Sequence, residues 1–271
     1  MIAGLFFPED RYRGPDTASP EQWVAMDSVI VPHRFFTVGL DDNIYLVDSS
    51  GALIKYDSAW RQVYRFSSSR LGTPAAVDAT DPLRIQVFYA DYNILLILDK
   101  MLTPVRTIDL SELGLTDVSA VCQAATGGFW AYDRAGSRLV AYEPGRLLPS
   151  EEISLSAFSL ATVDFVWLHQ QDNSLYGLTA SGDILRYDVL SDTFQKILGG
   201  RQWRGFRWHD GRLYAMNQAR EVVIYHSPFD VPKTNTPPIP QKLSGWDITH
   251  TGFLLGDGRH IIHWRQQSPG H

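Results

Sequence analysis

The sequence has little of the chemistry that several protein classes require. Its 271 residues include a single cysteine, Cys122, so the chain cannot form an internal disulfide. No segment approaches the ~20 consecutive apolar residues that span a bilayer as a helix. Basic clusters are absent and the formal net charge is −6, which argues against nucleic acid and anionic membrane surfaces as partners. We therefore expect no nucleic-acid binding and no direct membrane insertion.

Signals for helices, cofactors and catalysis are also scarce. The best helical pattern, Ser19–Met26, has a serine N-cap and an early proline but is short. There is no nucleophile elbow and no Gly-rich phosphate loop, so we predict no catalytic residue and no cofactor. His260 and His263 point to opposite faces of a strand, so they predict no metal site. Cys122 lies in an apolar run and is expected to be a small core residue.

The sequence does contain a repeat. Its two clearest copies are Asn43–Asp57 and Ser174–Asp188, in which Tyr45 and Tyr176 hold the same place. Looser copies contain Trp130 and Tyr214, and degenerate ones contain Leu96 and Leu254. These six anchors recur on average about every 42 residues. A period of this length made of strands is typical of a β-propeller blade.

We therefore predict an all-β fold, a β-propeller of six four-stranded blades, with residues 1–271 as a single domain. In the fourth repeat the predicted strands are Val163–His169, Leu175–Leu178, Asp183–Tyr187 and Thr193–Leu198. The last repeat lacks a fourth strand, and an open sheet edge favours unwanted pairing. The N-terminal segment 1–33 contains a β-like run, Ser28–Val31, which we predict closes the ring as the outer strand of that blade.

Two inserts interrupt the repeat. Ser67–Pro82 widens the first spacing, and Ser227–Gly245 carries five prolines. The second reads as an extended connection stiffened by proline or as a peptide offered to a partner. The aromatic anchors are expected to pack between neighbouring blades. The aspartates that follow the anchor strands, such as Asp48 and Asp99, are expected to stabilise turns.

The order of strands and turns in Asn43–Asp57, Gly128–Tyr142 and Asn173–Asp188 resembles the blades of six-bladed propellers of the NHL and YWTD type. With Leu71–Asp99 and Phe129–Asp133, the chain also resembles an uncharacterised propeller family common in Bacteroidetes. The resemblance covers about residues 34–265 and implies the fold without implying an enzymatic activity. Members of that family carry an export signal, which implies the periplasm or cell envelope. The chain as given lacks this signal, which leaves the cytoplasm open.

Binding residues are predicted where the inner strands begin, because these positions border one mouth of a propeller channel. We place Asp117, Asp164, Arg204 and Asp247 at nearly equivalent positions there, where they would hold a polar ligand or a peptide terminus. The loops that lead in supply the remaining candidates, which are Arg70, Arg201, Trp203 and Trp246. The alternative is that these charges cap strands and pair across blades.

Two functions stay open. One is a non-catalytic binding or scaffold protein that recognises a protein partner, because Trp and Arg dominate interaction surfaces. The other is a propeller hydrolase or lyase that uses the axial carboxylates, with a divalent metal as an option. His169, His209 and His250 fall near the turns that follow inner strands, where they either gather at one end of the channel or lie on the surface. The oligomeric state is not predicted.

Overall fold

The structure, a computed structural model, describes residues 23–200, 203–225 and 233–267. These residues form six antiparallel sheets of four strands each, which confirms the predicted all-β propeller. Within the same residues the helices are three short 3₁₀ turns, which are Ala90–Tyr92, Ser111–Leu113 and Leu155–Phe158. No helix in the described part of the chain has the length and apolar character needed to cross a lipid bilayer.

Each sheet is one blade, and its first strand is the inner one, because the first strands of neighbouring blades contact each other. From inner to outer strand, blades 1 to 3 are β2 Phe35–Val38, β3 Ile44–Val47, β4 Leu53–Tyr56, β5 Gln62–Phe66; β6 Ala76–Asp78, β7 Ile85–Tyr89, β8 Ile94–Leu98, β9 Pro104–Asp109; and β10 Val118–Gln123, β11 Phe129–Asp133, β12 Arg138–Tyr142, β13 Glu151–Ser154. Blades 4 to 6 are β14 Phe165–Gln171, β15 Ser174–Thr179, β16 Ile184–Asp188, β17 Thr193–Leu198; β18 Trp203–His209, β19 Arg212–Asn217, β20 Val222–Tyr225, β21 Lys233–Thr234; and β22 Gly245–Thr249, β23 Gly252–Gly256, β24 His260–Gln266, β1 Trp23–Ile30.

The chain closes its own ring. Strand β1 pairs antiparallel with β24, from Trp23 opposite Gln266 to Ile30 opposite His260, so the predicted closing strand is confirmed and is longer than Ser28–Val31. The predicted helix Ser19–Met26 is wrong from Trp23 onward, and Ser19–Gln22 lie outside the described residues. Pairing with the open edge of β24 satisfies the backbone of this segment, whereas a short isolated helix is marginal in water.

The predicted phase of the second repeat is wrong. Leu96 lies in β8, the third strand of blade 2, and the residue that occupies the anchor position is Val87 in β7. Val87 lies 42 residues after Tyr45 and 43 before Trp130, so the true spacing is more even. The predicted insert Ser67–Pro82 contains the inner strand β6, whose three residues are too few to show a strand pattern. Asp99 consequently follows β8, and its carboxylate still stabilises a turn by accepting the N–H groups of Met101 and Thr103.

The core consists of wedges between blades. Buried hydrophobic side chains of the described residues form six clusters, and each cluster joins two neighbouring blades. The predicted packing role of the aromatic anchors is confirmed: Tyr45 packs against Val77 and Val87 of blade 2, and Trp130 against Phe165 and Leu168 of blade 4. Large flat side chains fill these wedges, so each blade depends on its neighbour for burial.

The proline-rich insert Ser227–Gly245 contributes to blade 5 and to the core. Its residues 227–232 lie outside the described residues. The short strand β21 pairs with β20, and Ile239 and Leu243 pack on the cluster between blades 5 and 6. Pro237 is buried, and the Arg220 guanidinium donates to the Pro240 carbonyl at 3.0 Å. The described part of the insert is therefore held against the ring.

Candidate functional site

Three inner strands share a β-bulge near their first residue. The pairing register shifts between Val118 and Ala120, between Phe165 and Trp167, and between Trp203 and Gly205. The extra residues at these bulges are Ser119, Val166 and Arg204. A bulge bends its strand and re-aims a side chain. Val166 and Arg204 are exposed and line the end of the channel at which the inner strands begin.

That end of the channel contains a cavity of about 380 Å³, which we call the entry cavity. Much of its wall is apolar or aromatic, with guanidinium groups added from blade 5. The lining residues include Phe35, Val166, Trp167, Arg204, Arg207 and Trp246. Apolar walls with a few charged groups are typical of binding sites that orient a ligand.

Below the entry cavity, the inner-strand residues opposite the anchors form a layer across the channel. Strand pairing places them at one level: Thr37, Val77, Cys122, His169, Arg207 and Asp247. Cys122 is buried as predicted, and burial raises the pKa of its thiol. Thr37, Val77 and Arg207 line both the entry cavity and a second cavity at the opposite end of the channel. Asp247 lines the second cavity and forms an ion pair with Arg207.

Asp247 joins three blades in this layer. Its Oδ2 accepts the Thr37 hydroxyl at 2.9 Å and the Val38 N–H at 3.0 Å, both from blade 1. The same oxygen lies 3.1 Å from Arg207 Nε of blade 5, although this N–H is not directed well enough for a hydrogen bond. The contact between Arg207 and Asp247 is therefore an ion pair. Because the carboxylate is only 5% exposed, these contacts are weakly screened by water.

Arg207 is also enclosed by aromatic rings. Its guanidinium carbon lies 4.9 Å from the centroid of the Trp167 ring and 5.3 Å from that of Trp246. Cation–π contacts of this kind strengthen as the cation is withdrawn from water. The two tryptophans come from blades 4 and 6, so Arg207 connects the blades on either side of its own.

The opposite end of the channel, where the inner strands finish, contains a second cavity of about 270 Å³, which we call the turn cavity. Its lining includes Asp78, His169, Gln171, His209, Asp210 and Asp247. It is more polar in composition than the entry cavity. The imidazole of His169 faces the ring of Phe206, and burial lowers the pKa of His169.

At the rim of the turn cavity, histidines and aspartates from three blades meet. His209 ends the inner strand of blade 5 and Asp210 follows it in the turn, while His250 lies in the corresponding turn of blade 6 and Asp42 in that of blade 1. The rings of His209 and His250 are 5.1 Å apart, and His250 Nδ1 lies 2.8 Å from Asp42 Oδ2. Burial lowers the pKa of His209, whereas the hydrogen bond to Asp42 raises the pKa of His250.

Of the eight predicted binding residues, three line the cavities of the channel. Arg204 and Trp246 line the entry cavity, and Asp247 lines the turn cavity. Asp247 lies deeper in the channel than Arg204, at the level of Arg207, since it pairs with Leu254 as Arg207 pairs with Tyr214, so the predicted near-equivalence of Asp247 and Arg204 is wrong. Arg204 comes three residues before Arg207, and the bulge at Arg204, which blade 6 lacks, accounts for only one of these three positions.

The other predicted residues lie elsewhere. Asp117 is half exposed and pairs with Arg134 at 2.7 Å, and Arg70 is exposed. Trp203 is buried in the wedge between blades 4 and 5. Asp164 precedes β14, is partly exposed and has one buried oxygen without a hydrogen-bond partner. Arg201 lies outside the described residues.

Sequence reasoning missed Arg207, whereas the meeting of His209 and His250 at one end of the channel was one of the two alternatives that it left open. Arg207 lies in the run WRGFRWH. Side chains of a regular strand alternate between its two faces, but the bulge shifts the register, so alternation counted from the start of the run does not show which residues face the channel. The contact between His209 and His250 follows from the placement of both residues near the inner-strand turns of adjacent blades.

Comparison with known proteins supports the fold. No protein-family model and no curated protein sequence matches the chain. Among solved structures, it is similar to the Pan2 WD40 domain of Neurospora crassa, with TM-score 0.63 and 9% identity over 95% of this chain and 99% of that one. It is similar to a chain of the mitotic checkpoint complex, with TM-score 0.59 and 8% identity over 98% and 99% of the two chains. BamB from Moraxella catarrhalis gives TM-score 0.55 and 11% identity over 90% and 100%. At these identities the likeness establishes the propeller class of fold and no function.

Proposed function

We propose that this protein is a non-catalytic binding scaffold that recognises a protein partner with the face of the disc that bears the entry cavity. The observation that carries the proposal is the position of Arg204, which the bulge places exposed at the rim of an aromatic cavity. Arginine and tryptophan together are the residue types that dominate interaction hot spots. A solved neighbour that belongs to the mitotic checkpoint complex is consistent with such a use of the fold.

The charges of the entry cavity favour an anionic group on the partner. Arg207 is neutralised by Asp247, whereas among the described residues Arg204 has no ion-pair partner. A guanidinium beside aromatic walls suits a carboxylate, which it can bind through two hydrogen bonds. The partner feature that we propose is therefore an acidic side chain or a free C-terminal carboxylate next to apolar residues.

The alternative, a hydrolase or lyase that uses the axial carboxylates, finds less support. Asp117 is paired with Arg134, and Asp247 accepts three hydrogen bonds in addition to its ion pair. A general base needs a carboxylate within reach of substrate, and these two are engaged by the protein. Asp164 has a buried oxygen without a partner, but it is not among the residues that line either channel cavity.

We further propose that residues 1–271 act as one propeller domain, related to the NHL and YWTD type, and that the protein works in the bacterial cell envelope. The repeat in Asn43–Asp57 and Ser174–Asp188 supports the relationship, and the resemblance to a family with export signals supports the compartment. Fractionation of the native cell tests the compartment, because recovery only with cytosolic proteins would contradict it.

The test of binding compares partner capture by three forms of the protein from native cell extract. Arg204→Glu reverses the charge at the entry cavity and is expected to reduce captured partner at least tenfold. The matched control is Arg212→Glu, which makes the same change on an exposed arginine of blade 5 at the other end of the channel. Competition with a short acidic peptide, in free-acid and amidated forms, then identifies the carboxylate. Equal capture by wild type and Arg204→Glu would contradict the proposal.

A further inference from the structure

In the group formed by His209, Asp210, His250 and Asp42, one imidazole nitrogen lacks a hydrogen-bond partner. His209 Nε2 is buried and has no hydrogen-bond partner. The closest carboxylate oxygen, Asp210 Oδ2, is 3.5 Å away, which is longer than a good hydrogen bond. Buried polar atoms in folded proteins are normally satisfied, so an unpaired imidazole nitrogen beside a carboxylate indicates a missing partner.

The donor atoms of this group converge. One donor atom each from His209, Asp210 and His250 can be chosen so that all three lie within 4.8 Å of one another. A tetrahedral ion with bonds of about 2.0–2.2 Å requires ligand atoms roughly 3.3 Å apart. The 3.5 Å separation of His209 and Asp210 nearly meets this requirement. Rotation of the exposed His250 and Asp210 side chains can supply the rest.

Asp42 completes the arrangement. It lies 2.8 Å from His250 Nδ1, so it accepts the proton of that nitrogen and leaves the other nitrogen available for an ion. Metal-binding histidines commonly donate their second N–H to a carboxylate in this way. The backbone of Asp42 and Asp210 has positive φ, 54° and 48°, which fixes both at the tips of tight turns. The positions of these donors are therefore set by the hairpins of blades 1 and 5 and not by long flexible loops.

We propose that His209, His250 and Asp210 bind a divalent transition-metal ion of the Zn²⁺ class, and that Asp42 orients His250. Two imidazoles and a carboxylate are ligands that Zn²⁺ favours, whereas Ca²⁺ and Mg²⁺ require mainly oxygen ligands. The site lies at the rim of the turn cavity, at the opposite end of the channel from Arg204. It is therefore independent of the proposed partner-binding face.

Zinc titration of untagged protein by calorimetry tests the site. Wild type is expected to bind one Zn²⁺ with a dissociation constant in the micromolar range or tighter. His209→Ala and His250→Ala are expected to weaken this binding at least thirtyfold. Asp42→Asn is expected to weaken it about tenfold, the loss typical of a residue that orients a ligand. Thermal melting checks that each variant is folded. If His209→Ala does not fold, Asp210→Asn takes its place as the variant that removes a ligand.

The matched control is His260→Ala. His260 forms a similar imidazole–carboxylate pair with Asp257 at 3.0 Å. Within the described residues it belongs to no group of three potential metal ligands. This variant is expected to bind Zn²⁺ as wild type does. Titration with Co²⁺ adds a spectroscopic readout, because tetrahedral binding gives intense visible absorption that His250→Ala should abolish. The proposal would be overturned if wild type did not bind Zn²⁺ stoichiometrically, or if His209→Ala and His250→Ala bound Zn²⁺ with the affinity of wild type.

Discussion

The wedges between the blades and the two ends of the channel use the same inner hairpins, but their residues behave differently along the chain. Wedge positions repeat: Tyr45, Trp130, Tyr176 and Tyr214 all occupy one place and fill one kind of space. Channel-end positions do not repeat, because the three bulges carry a serine, a valine and an arginine. The difference indicates that repeated residues maintain the ring, whereas the sites that we propose are built from residues unique to one blade.

The largest effect is expected from loss of ring closure. Deletion of residues 1–32 removes β1 and leaves the edge of β24 unpaired, so the truncated chain is expected not to fold into a stable ring. Circular dichroism and thermal melting measure this. Addition of a peptide of residues 23–33 should restore part of the transition, whereas a scrambled peptide should not. A truncated chain that melts at the wild-type temperature would contradict closure by β1.

Truncation of a side chain in a wedge should lower the free energy of unfolding by several kcal/mol. Phe165 is 1% exposed and meets the Tyr132 ring at 5.3 Å across the wedge between blades 3 and 4. Phe165→Ala is expected to lower the free energy of unfolding by about 3–5 kcal/mol, because it leaves a cavity in a packed core. Leu190→Ala, at an exposed turn of blade 4, is the control and should change it by less than about 0.5 kcal/mol. Similar losses in the two variants would show that the wedges are not the main source of stability.

The central layer of the channel should be sensitive as well. Asp247→Ala removes the partner of Arg207 and the acceptor for Thr37 and Val38, and is expected to cost about 3 kcal/mol of unfolding free energy. Asp117→Ala removes an ion pair that is about half exposed on both sides and should cost less than about 1 kcal/mol. Denaturant unfolding of the two variants measures the difference. Equal costs would place Asp247 among ordinary surface charges.

A smaller effect is expected from pH. Burial lowers the pKa of His33, whose Nδ1 lies 2.7 Å from the Val31 carbonyl and whose Nε2 lies 2.7 Å from the Ser244 hydroxyl. Burial also lowers the pKa of His169 and of His263. The folded state therefore binds fewer protons than the unfolded state at these sites, so its stability should be complete above about pH 6.5 and decrease as the pH falls below it.

Thermal melting at pH 7.5 and at pH 5.5 checks this direction. His33→Gln should reduce the difference between the two melting temperatures, because the substituted side chain cannot take up the proton. The raised pKa of His250 acts in the opposite direction and limits the total change. A melting temperature that increases toward pH 5.5 would contradict the assignment of buried neutral histidines.

Much of the fold could be predicted from the repeat, because Tyr45 and Tyr176 stand in identical contexts and the last repeat visibly lacks a strand. Blade 2 was harder: β8 is a continuous apolar run that resembles an anchor strand, and β6 has three residues. The candidate site could be predicted only in part, since Arg204 and Trp246 were placed at the channel mouth. The bulges and the level of Arg207 depend on strand register, which single-sequence patterns do not determine.

The central claim is that the wedges maintain the ring while Arg204 at the entry cavity carries binding. The most direct measurement compares Arg204→Glu with wild type in two respects, the amount of captured partner and the free energy of unfolding. The account predicts an unfolding free energy within about 0.5 kcal/mol of wild type, as for an exposed substitution, together with at least tenfold less captured partner. Wild-type capture, or a loss of stability comparable to that of Phe165→Ala, would contradict it.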